Sequence, residues 1–234
     1  MNLDTLALEA TASDFDAIPI IDLSDARSQS LEARRGVANE IRKACLSAGF
    51  FYVKNHSVPS STVDAAFKQS KSFYAAKPEV KKTVDIANSK NFRGYMGLMM
   101  ENNDPKNKGD RLESFNIGLD PSLEEYPKDN HAKPAGGETI EHGDNQWPDA
   151  KDYEAAEDFK KATLDYYSSV LHLGQSLFPL FALALNLPEN FFENKTTTPA
   201  AIMRLLYYPA LGEEKFDEFI LGIGAHTGTC RAAT

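Results

Sequence analysis

The sequence is poor in cysteine and has no long apolar run. It contains two cysteines, Cys45 and Cys230, so it cannot hold a framework of several disulfides, and a reducing cytosol is the expected location. It has no run of apolar residues of the length that a transmembrane helix needs. The acidic segment 1–17 lacks the basic and apolar regions of a secretory signal and the arginines of a transit peptide.

Basic residues are fewer than acidic ones. The 234 residues carry 25 Lys and Arg against 34 Asp and Glu, a net charge of −9. Most of the acidic excess lies between residues 101 and 158. This acidic stretch is interpreted as a solvated loop region, and within it residues 120–150, which are rich in Pro, Gly, Asp and Asn, are expected to form a long loop. Because an acidic surface repels phosphate backbones, nucleic acid is not an expected partner.

Hydrophobic periodicity predicts an α+β fold. Since helical patterns precede most of the strand patterns, a parallel doubly wound sheet is disfavoured. A proline inside the longest helical pattern, Pro179, predicts a kink there. The expected strands are 18–23, 50–53, 92–95, 112–117, 201–208 and 220–227, and the expected helices are 31–48, one beginning near 61, 152–186 and a short one at 187–192.

Several local signals refine this pattern. Ser30 is expected to cap the helix 31–48 and Gly49 to close it in the left-handed conformation. Ser61 and Asp64 fit a variant of the capping box, and Pro78 stops the helix that they begin. The strand 50–53 is apolar throughout and is expected to be buried. Trp147-Pro148 is expected to pin the long loop to the body of the protein.

A series of short motifs occurs in an order that resembles a known family. The chain is similar, over residues 18–227, to the isopenicillin N synthase-like iron(II)- and 2-oxoglutarate-dependent dioxygenases, although Ser57 stands where the family usually has glycine. Each motif alone is weakly specific, and their common order carries the resemblance. The motifs are Ile18–Leu23, Gly49–His56, Phe73-Tyr74 with Pro78-Glu79, Arg93–Tyr95, Glu113–Gly118, Asn145–Pro148, Met203–Pro209 and Gly222–Thr227.

This resemblance implies a double-stranded β-helix, or jelly roll, with a flanking helical layer. It also implies iron(II) held by two histidines and one carboxylate, with 2-oxoglutarate as cosubstrate, for C–H hydroxylation or a related oxidation of a small molecule. His226 falls on the first metal ligand, whereas Gly228 occupies the carboxylate position. Tyr208 matches a position that contacts the cosubstrate, with a core aromatic role as the alternative. Arg204 shares its strand face and either lines the pocket mouth or pairs with an acid.

The resemblance also suggests a domain plan. An acidic leader (1–17) precedes the non-haem dioxygenase N-terminal domain with its acidic loop (18–150), the long helix and first jelly-roll strands (151–227), and a tail unlike the family (228–234). No histidine follows His226, and no Arg-x-Ser pattern follows it either. We therefore expect an incomplete, C-terminally truncated jelly roll that is inactive in this form.

Two other interpretations remain. The His-x-Gly pattern at His226 is similar to that of iron(II) halogenases, which place chloride at the glycine position but also need the second histidine. Alternatively, the chain is a non-catalytic binding or scaffolding protein that retains the N-terminal domain. In either case, strands left without neighbours would expose a sheet edge that promotes self-association.

Overall fold

The computed structural model describes residues 17–102, 106, 108–126, 144–197, 199, 201–210 and 222–224. It divides into two compact units, Met1–Val58 with Ser169–Thr197, and Pro59–Ser168 with Thr198–Thr234. The described elements mix helices and sheets, which confirms the α+β expectation. They are β1 (Ile20–Asp22), α1 (Leu31–Ser47), β2 (Tyr52–Lys54), α2 (Ser60–Tyr74), α3 (Pro78–Thr83), β3 (Gly94–Met96), β4 (Glu113–Gly118), α4 (Ala156–Ala184) and β5 (Ile202–Tyr207), with 3₁₀ turns at Ile86–Asn88 and Glu193–Lys195.

In the first unit, β1 and β2 pair in parallel and α1 connects them. Ser30 caps α1 by accepting a hydrogen bond from Ala33 N at 3.4 Å, and Gly49 follows the helix with φ +81°, both as expected. The residue types explain both ends, because a serine oxygen satisfies a free helical N–H and glycine has no Cβ to strain. The core that results contains Ile21, Leu23, Val37, Ala38, Ile41, Ala44, Leu180 and Ala184.

The strand expected to be buried at 50–53 is instead shifted and half exposed. β2 runs from Tyr52 to Lys54, and Phe50 and Tyr52 are 50% and 60% exposed. Only Phe51 and Val53 pack against the core. The prediction from the apolar run was wrong because successive side chains of a strand point to opposite faces of the sheet. Only one face of this two-stranded sheet contacts the core.

The helix boundaries correct two expectations, the capping box and the short helix at 187–192, whereas the long helix contains Pro179 as its pattern predicted and the kink there stays a prediction. α2 begins after Pro59 with no side-chain cap, so the capping box at Ser61 and Asp64 is absent. α4 continues through Pro179 and ends where Asn186 adopts φ +57° and Leu187 N closes onto Ala182 O at 2.8 Å. The short helix expected at 187–192 is absent, and turns lead there to the 3₁₀ turn Glu193–Lys195.

The second unit is built on an antiparallel sheet with the order β3-β4-β5. Its register assigns alternate residues to opposite faces. One face carries Tyr95, Phe115, Leu205 and Tyr207, and the other carries Ser114, Asn116, Arg204 and Leu206. The first face packs on the helices through Phe73, which is fully buried, stacks on Phe159 at 4.6 Å and meets Phe115 edge-on at 5.1 Å.

A buried ion pair lies within this aromatic layer. Lys81 and Glu113 are 8% and 6% exposed, and Lys81 Nζ lies 2.6 Å from Glu113 Oε2. Lys81 also donates to Tyr74 O at 3.1 Å, and Tyr95 Oη donates to Glu113 Oε2 at 2.7 Å. Burial, followed by the nearby Glu113 carboxylate, raises the pKa of Tyr95 above its ordinary value, so that its hydroxyl remains a donor.

The described ends of the long loop are pinned as expected. Trp147 Nε1 and Asn145 Nδ2 donate to Asp120 Oδ2 at 3.2 and 2.9 Å, and the Trp147 ring packs near Phe115. Burial raises the pKa of Asp120, but hydrogen bonds from Ser122, Asn145 and Trp147 outweigh it and hold that pKa below its usual value. Residues 127–143 of this loop lie outside the described part of the chain.

Two smaller findings concern the surface. No described helix is long and apolar enough to cross a membrane. Cys45 is a free, exposed thiol, and Cys230 lies outside the described residues. The cytosolic location remains a prediction.

Breaking the buried ion pair should destabilise the second unit strongly. We expect Lys81→Met to cost about 3–5 kcal/mol of unfolding free energy, because it leaves the Glu113 carboxylate buried without a cation. The double variant Lys81→Met/Glu113→Gln removes both charges and keeps an acceptor for Tyr95, and it should recover most of that loss. Urea unfolding at neutral pH measures both. A single variant costing less than about 1 kcal/mol would contradict the description of this pair.

The pinning of the loop should depend on pH. The folded pKa of Asp120 lies below its unfolded value, so its contribution to stability is present above the unfolded pKa and is lost as pH falls through the folded pKa. Asp120→Asn should therefore cost about 1–3 kcal/mol at pH 7, since it leaves donors unmatched, and less at pH values below about 4. Urea unfolding followed by fluorescence of Trp147, the single tryptophan, reports this difference. Asp152→Asn, at an exposed position, is the control; an equal cost of Asp120→Asn at both pH values would refute the argument.

Candidate functional site

Arg204 lies on the sheet face opposite the aromatic layer. Its Nη2 is 2.6 Å from Glu101 Oε2 and 3.2 Å from Ser114 Oγ, and its Nε donates to Asn116 Oδ1 at 3.1 Å. The guanidinium therefore has an acid partner, which was one of the two expectations for this residue. Its side chain remains 36% exposed on this open face of the sheet.

Tyr208 follows β5 directly and is 44% exposed. Its neighbour Tyr207 makes the contact with the helical layer, because its ring stacks on Tyr74 with centroids 5.2 Å apart. The Tyr208 ring instead faces Gly222, whose Cβ, if it had one, would lie 3.8 Å from the ring. Of the two adjacent tyrosines, Tyr207 takes the packing role, and Tyr208 remains available at the end of the sheet.

The segment that leads to His226 is held by a residue that the sequence did not single out. Asp110 is 1% exposed, and its Oδ1 accepts a hydrogen bond from Gly224 N at 2.8 Å. Gly222–Gly224 form a bend, whereas a strand was expected over 220–227; the rest of that range lies outside the described residues. Asp110 belongs to the acidic stretch that suggested a solvated loop, so no local signal could have revealed its burial.

His226 itself, together with Gly228, lies outside the described part of the chain. Within the described part, no group of three or more His, Cys, Asp or Glu side chains could hold a metal ion. The described residues thus do not supply an iron(II) site. What they bring together at this end of the sheet is Tyr208, the bend at Gly222–Gly224 and the buried carboxylate of Asp110.

A hollow of about 510 Å³ lies elsewhere, in the first unit. Its walls include Phe178, Pro179 and Phe192, together with Glu189 and Glu193. Glu189 is engaged by Arg34, whose Nε and Nη2 lie 2.6 and 2.8 Å from its two oxygens. Neither Arg204 nor Tyr208, the two expected site residues that the structure describes, lines this hollow, so its volume alone does not identify it as the reactive site.

A family model matches much of the chain. Residues 18–150 match the model described as the N-terminal region of non-haem dioxygenases in morphine synthesis. This range is more than half of the 234 residues, and it includes both strands of the first unit together with β3 and β4.

Curated relatives agree with that match. The chain is 31% identical over 217 residues to the 2-oxoglutarate-Fe(II) type oxidoreductase ppzC of Metarhizium rileyi, and the alignment covers 90% of this chain and 57% of the relative. It is 29% identical to hxnY of Emericella nidulans, a protein of the same type, over 90% of this chain and 58% of that one. The chain therefore spans a little over half the length of these relatives.

The fold of solved structures agrees as well. A full-length Neurospora crassa protein, solved in complex with alpha-KG, superposes with a TM-score of 0.70 at 24% identity, over 93% of this chain and 64% of that chain. A putative 2OG-Fe(II) oxygenase family protein from Caulobacter crescentus superposes with a TM-score of 0.65 at 23% identity, over 86% of this chain and 59% of that chain. At such identities the likeness establishes a shared fold, and the family match establishes kinship. The chain belongs to the family of iron(II)- and 2-oxoglutarate-dependent non-haem dioxygenases.

Proposed function

We propose that this protein serves an iron(II)- and 2-oxoglutarate-dependent oxidation of a small molecule, with β3, β4 and β5 as one wall of an incomplete double-stranded β-helix. The observation that carries the proposal is the family match over residues 18–150, joined to an open sheet face that ends at Tyr208. When bound in such a protein, iron(II) and 2-oxoglutarate supply the oxidising chemistry. The chain's own residues are proposed to shape the pocket in which a substrate is held.

Within this proposal, His226 is the first metal ligand. Gly224, two residues earlier in the sequence, is fixed by Asp110, and Gly222 lies against Tyr208. These contacts support a metal-binding segment that enters beside Tyr208, which we assign to the cosubstrate side of the pocket. We do not assign Arg204 to cosubstrate binding, because Glu101 already neutralises much of its charge. Arg204 is proposed to hold the rim of the pocket through Glu101, Asn116 and Ser114.

The residues at the family's metal-ligand positions do not form a complete iron(II) triad. His226 is one imidazole, Gly228 stands at the carboxylate position and no further histidine follows. One nitrogen donor is a weak site for iron(II), which needs several ligands in a defined geometry. We therefore propose that the 234-residue polypeptide by itself does not turn over 2-oxoglutarate, and that completion by further residues is needed for activity.

Succinate release tests this proposal. The 234-residue chain with iron(II), ascorbate, 2-oxoglutarate and oxygen should release no succinate above the background without protein. A chimaera that joins residues 1–227 to the remaining C-terminal part of the Metarhizium rileyi relative should bind iron(II) and release succinate. In that chimaera His226→Ala should abolish the release, whereas the matched substitution His131→Ala should leave it intact.

The outcomes separate the two parts of the proposal. Succinate release by the 234-residue chain alone would refute its inactivity. A folded chimaera that binds neither iron(II) nor 2-oxoglutarate would refute the catalytic function and favour a non-catalytic binding role. A chimaera whose activity survives His226→Ala would refute the assignment of the metal ligand. Circular dichroism of each variant establishes that it is folded.

We also propose that the 234-residue chain self-associates through β5. Among the described strands β5 is the last in its sheet, and Ile202 and Leu206 on its open face are 60% and 47% exposed. An apolar edge strand with unpaired backbone groups is a template for pairing with another chain. Sedimentation velocity should detect concentration-dependent dimers or larger species. Ile202→Lys should shift the distribution towards monomer.

Phe67→Lys is the matched control, because Phe67 is an apolar residue that is 62% exposed, but on α2. It should leave the association unchanged if β5 is the contact. A monomer at every concentration, or an equal effect of both substitutions, would exclude association through this strand.

A further inference from the structure

Arg93, just before β3, is a buried cation with too few partners. It is 7% exposed, and its Nη1 donates to the backbone oxygen of Asn91 at 3.0 Å. Its Nε is buried and has no hydrogen-bond partner among the described residues. Burial lowers the pKa of Arg93 from its ordinary value. An uncompensated buried charge costs several kcal/mol, so such a group calls for a physical explanation.

A second orphaned donor lies two residues away. Asn91 Nδ2 is also buried without a partner in the described part of the chain. The turn that carries it is well ordered by Ser89, whose Oγ donates to Asn91 Oδ1 at 2.6 Å and accepts from Asn91 N and Arg93 N at 3.2 and 3.0 Å. With the Asn91 oxygen already engaged, the free groups of this turn are N–H donors only.

The backbone around Arg93 is shaped to receive the guanidinium but does not satisfy it. A Cβ at Gly118 would lie 2.5 Å from both Cζ and Nε of Arg93, so a larger residue there would displace the guanidinium from this position. The polar groups of Gly118 are already engaged by Asn145, which accepts from Gly118 N at 2.8 Å and donates to Gly118 O at 3.0 Å. The guanidinium thus lies on the end of β4 without receiving an acceptor from it.

Within the described ranges, the titratable groups near Arg93 provide no compensating negative charge. Tyr167 of α4 faces Arg93, but burial raises the pKa of Tyr167 to about 12, and its hydroxyl donates to Ala201 O at 2.9 Å. Glu125, near Tyr167, accepts from Ser168 Oγ at 2.5 Å. In the loop before Arg93, Asp85 accepts from Ala87 N at 2.9 Å. Thr163, one turn before Tyr167, adds a fully buried hydroxyl without a partner in the described residues.

We propose that Arg93 Nε and Asn91 Nδ2 form a binding site for a single carboxylate or other small oxyanion. An oxyanion accepts hydrogen bonds from both donors and neutralises the guanidinium, whose planar fork matches two oxygens of one group. A metal cation is excluded by the sign of the site, and a water molecule would leave the charge uncompensated. Exposed Lys90 and the partly exposed Asn91 place the site beneath a positive surface turn, which favours entry of an anion.

This site is distinct from the candidate pocket at Tyr208. Arg93 lies against Gly118, which pairs with Ile202 at the beginning of β5, whereas Tyr208 follows the end of that strand. Six strand residues span roughly 20 Å. A small ligand at Arg93 therefore does not contact the groups proposed to hold metal and cosubstrate, and its binding is measured without any turnover.

Thermal unfolding of the 234-residue chain in sodium acetate, sodium phosphate and sodium chloride at equal ionic strength tests the site. At an anion concentration 100-fold above its dissociation constant, we expect acetate or phosphate to raise the melting temperature by roughly 5–10 °C relative to chloride. The stronger of the two identifies a planar carboxylate or a tetrahedral oxyanion as the preferred ligand. Arg93→Lys keeps the charge but loses Nε, and it should remove most of this shift. Arg35→Lys, at an exposed position on α1, should retain it.

Asn91→Asp provides a second, nearly isosteric test. It places a carboxylate beside Arg93, so the variant should melt at a higher temperature than the parent chain in chloride and should no longer respond to acetate or phosphate. The proposal is overturned if the parent chain melts at the same temperature in all three salts. It is also overturned if Arg93→Lys and Asn91→Asp respond to the anions as the parent chain does.

Discussion

The pairing of β4 with β3 and β5 is the constraint on which the second unit depends. Because the register alternates side chains between two faces, one register sends Phe115 and Glu113 towards the helices and Asn116 and Ser114 to the open side. A shift of one residue would exchange these sets, placing the carboxyl partner of Lys81 in the open and the partners of Arg204 in the core. Packing and site chemistry are therefore fixed by the same hydrogen-bond ladder.

Buried polar groups stabilise that ladder at both ends. Lys81 and Glu113 neutralise each other inside the aromatic layer. Asp120 accepts hydrogen bonds from Asn145 and Trp147, in the segment that follows the long loop. These contacts are specific, because a hydrogen bond made by a buried charge tolerates little displacement. Arg93 departs from the pattern: it is as buried as Lys81 but has no compensating acid among the residues that the structure describes. That contrast within one unit is the reason to assign it a ligand.

Much of the architecture was accessible from local patterns. The cap at Ser30, the left-handed Gly49 and the end of α2 before Pro78 follow from the chemistry of single residues and were predicted correctly. Errors arose where burial depends on distant partners. The apolar run 50–53 suggested a buried strand, and the acids of 101–158 suggested solvent, yet Phe50 and Tyr52 are exposed while Asp110 and Glu113 are buried. Hydrophobic periodicity reflects the polarity of each residue. It carries no information about the residues, distant in the sequence, that pack against it in the fold.

For the site, the sequence by itself determined kinship and the order of motifs, since these depend only on residue identity and spacing. The period of two also predicted that Arg204 and Tyr208 share a strand face, but β5 ends at Tyr207 and Tyr208 follows it. Only the tertiary structure decided that Arg204 is paired with Glu101, that Tyr207 rather than Tyr208 stacks on the helical layer, and that Asp110 holds the segment before His226. The reason is physical: partner and burial are set by contacts between residues more than a hundred positions apart in the sequence, and such contacts exist only once the chain has folded.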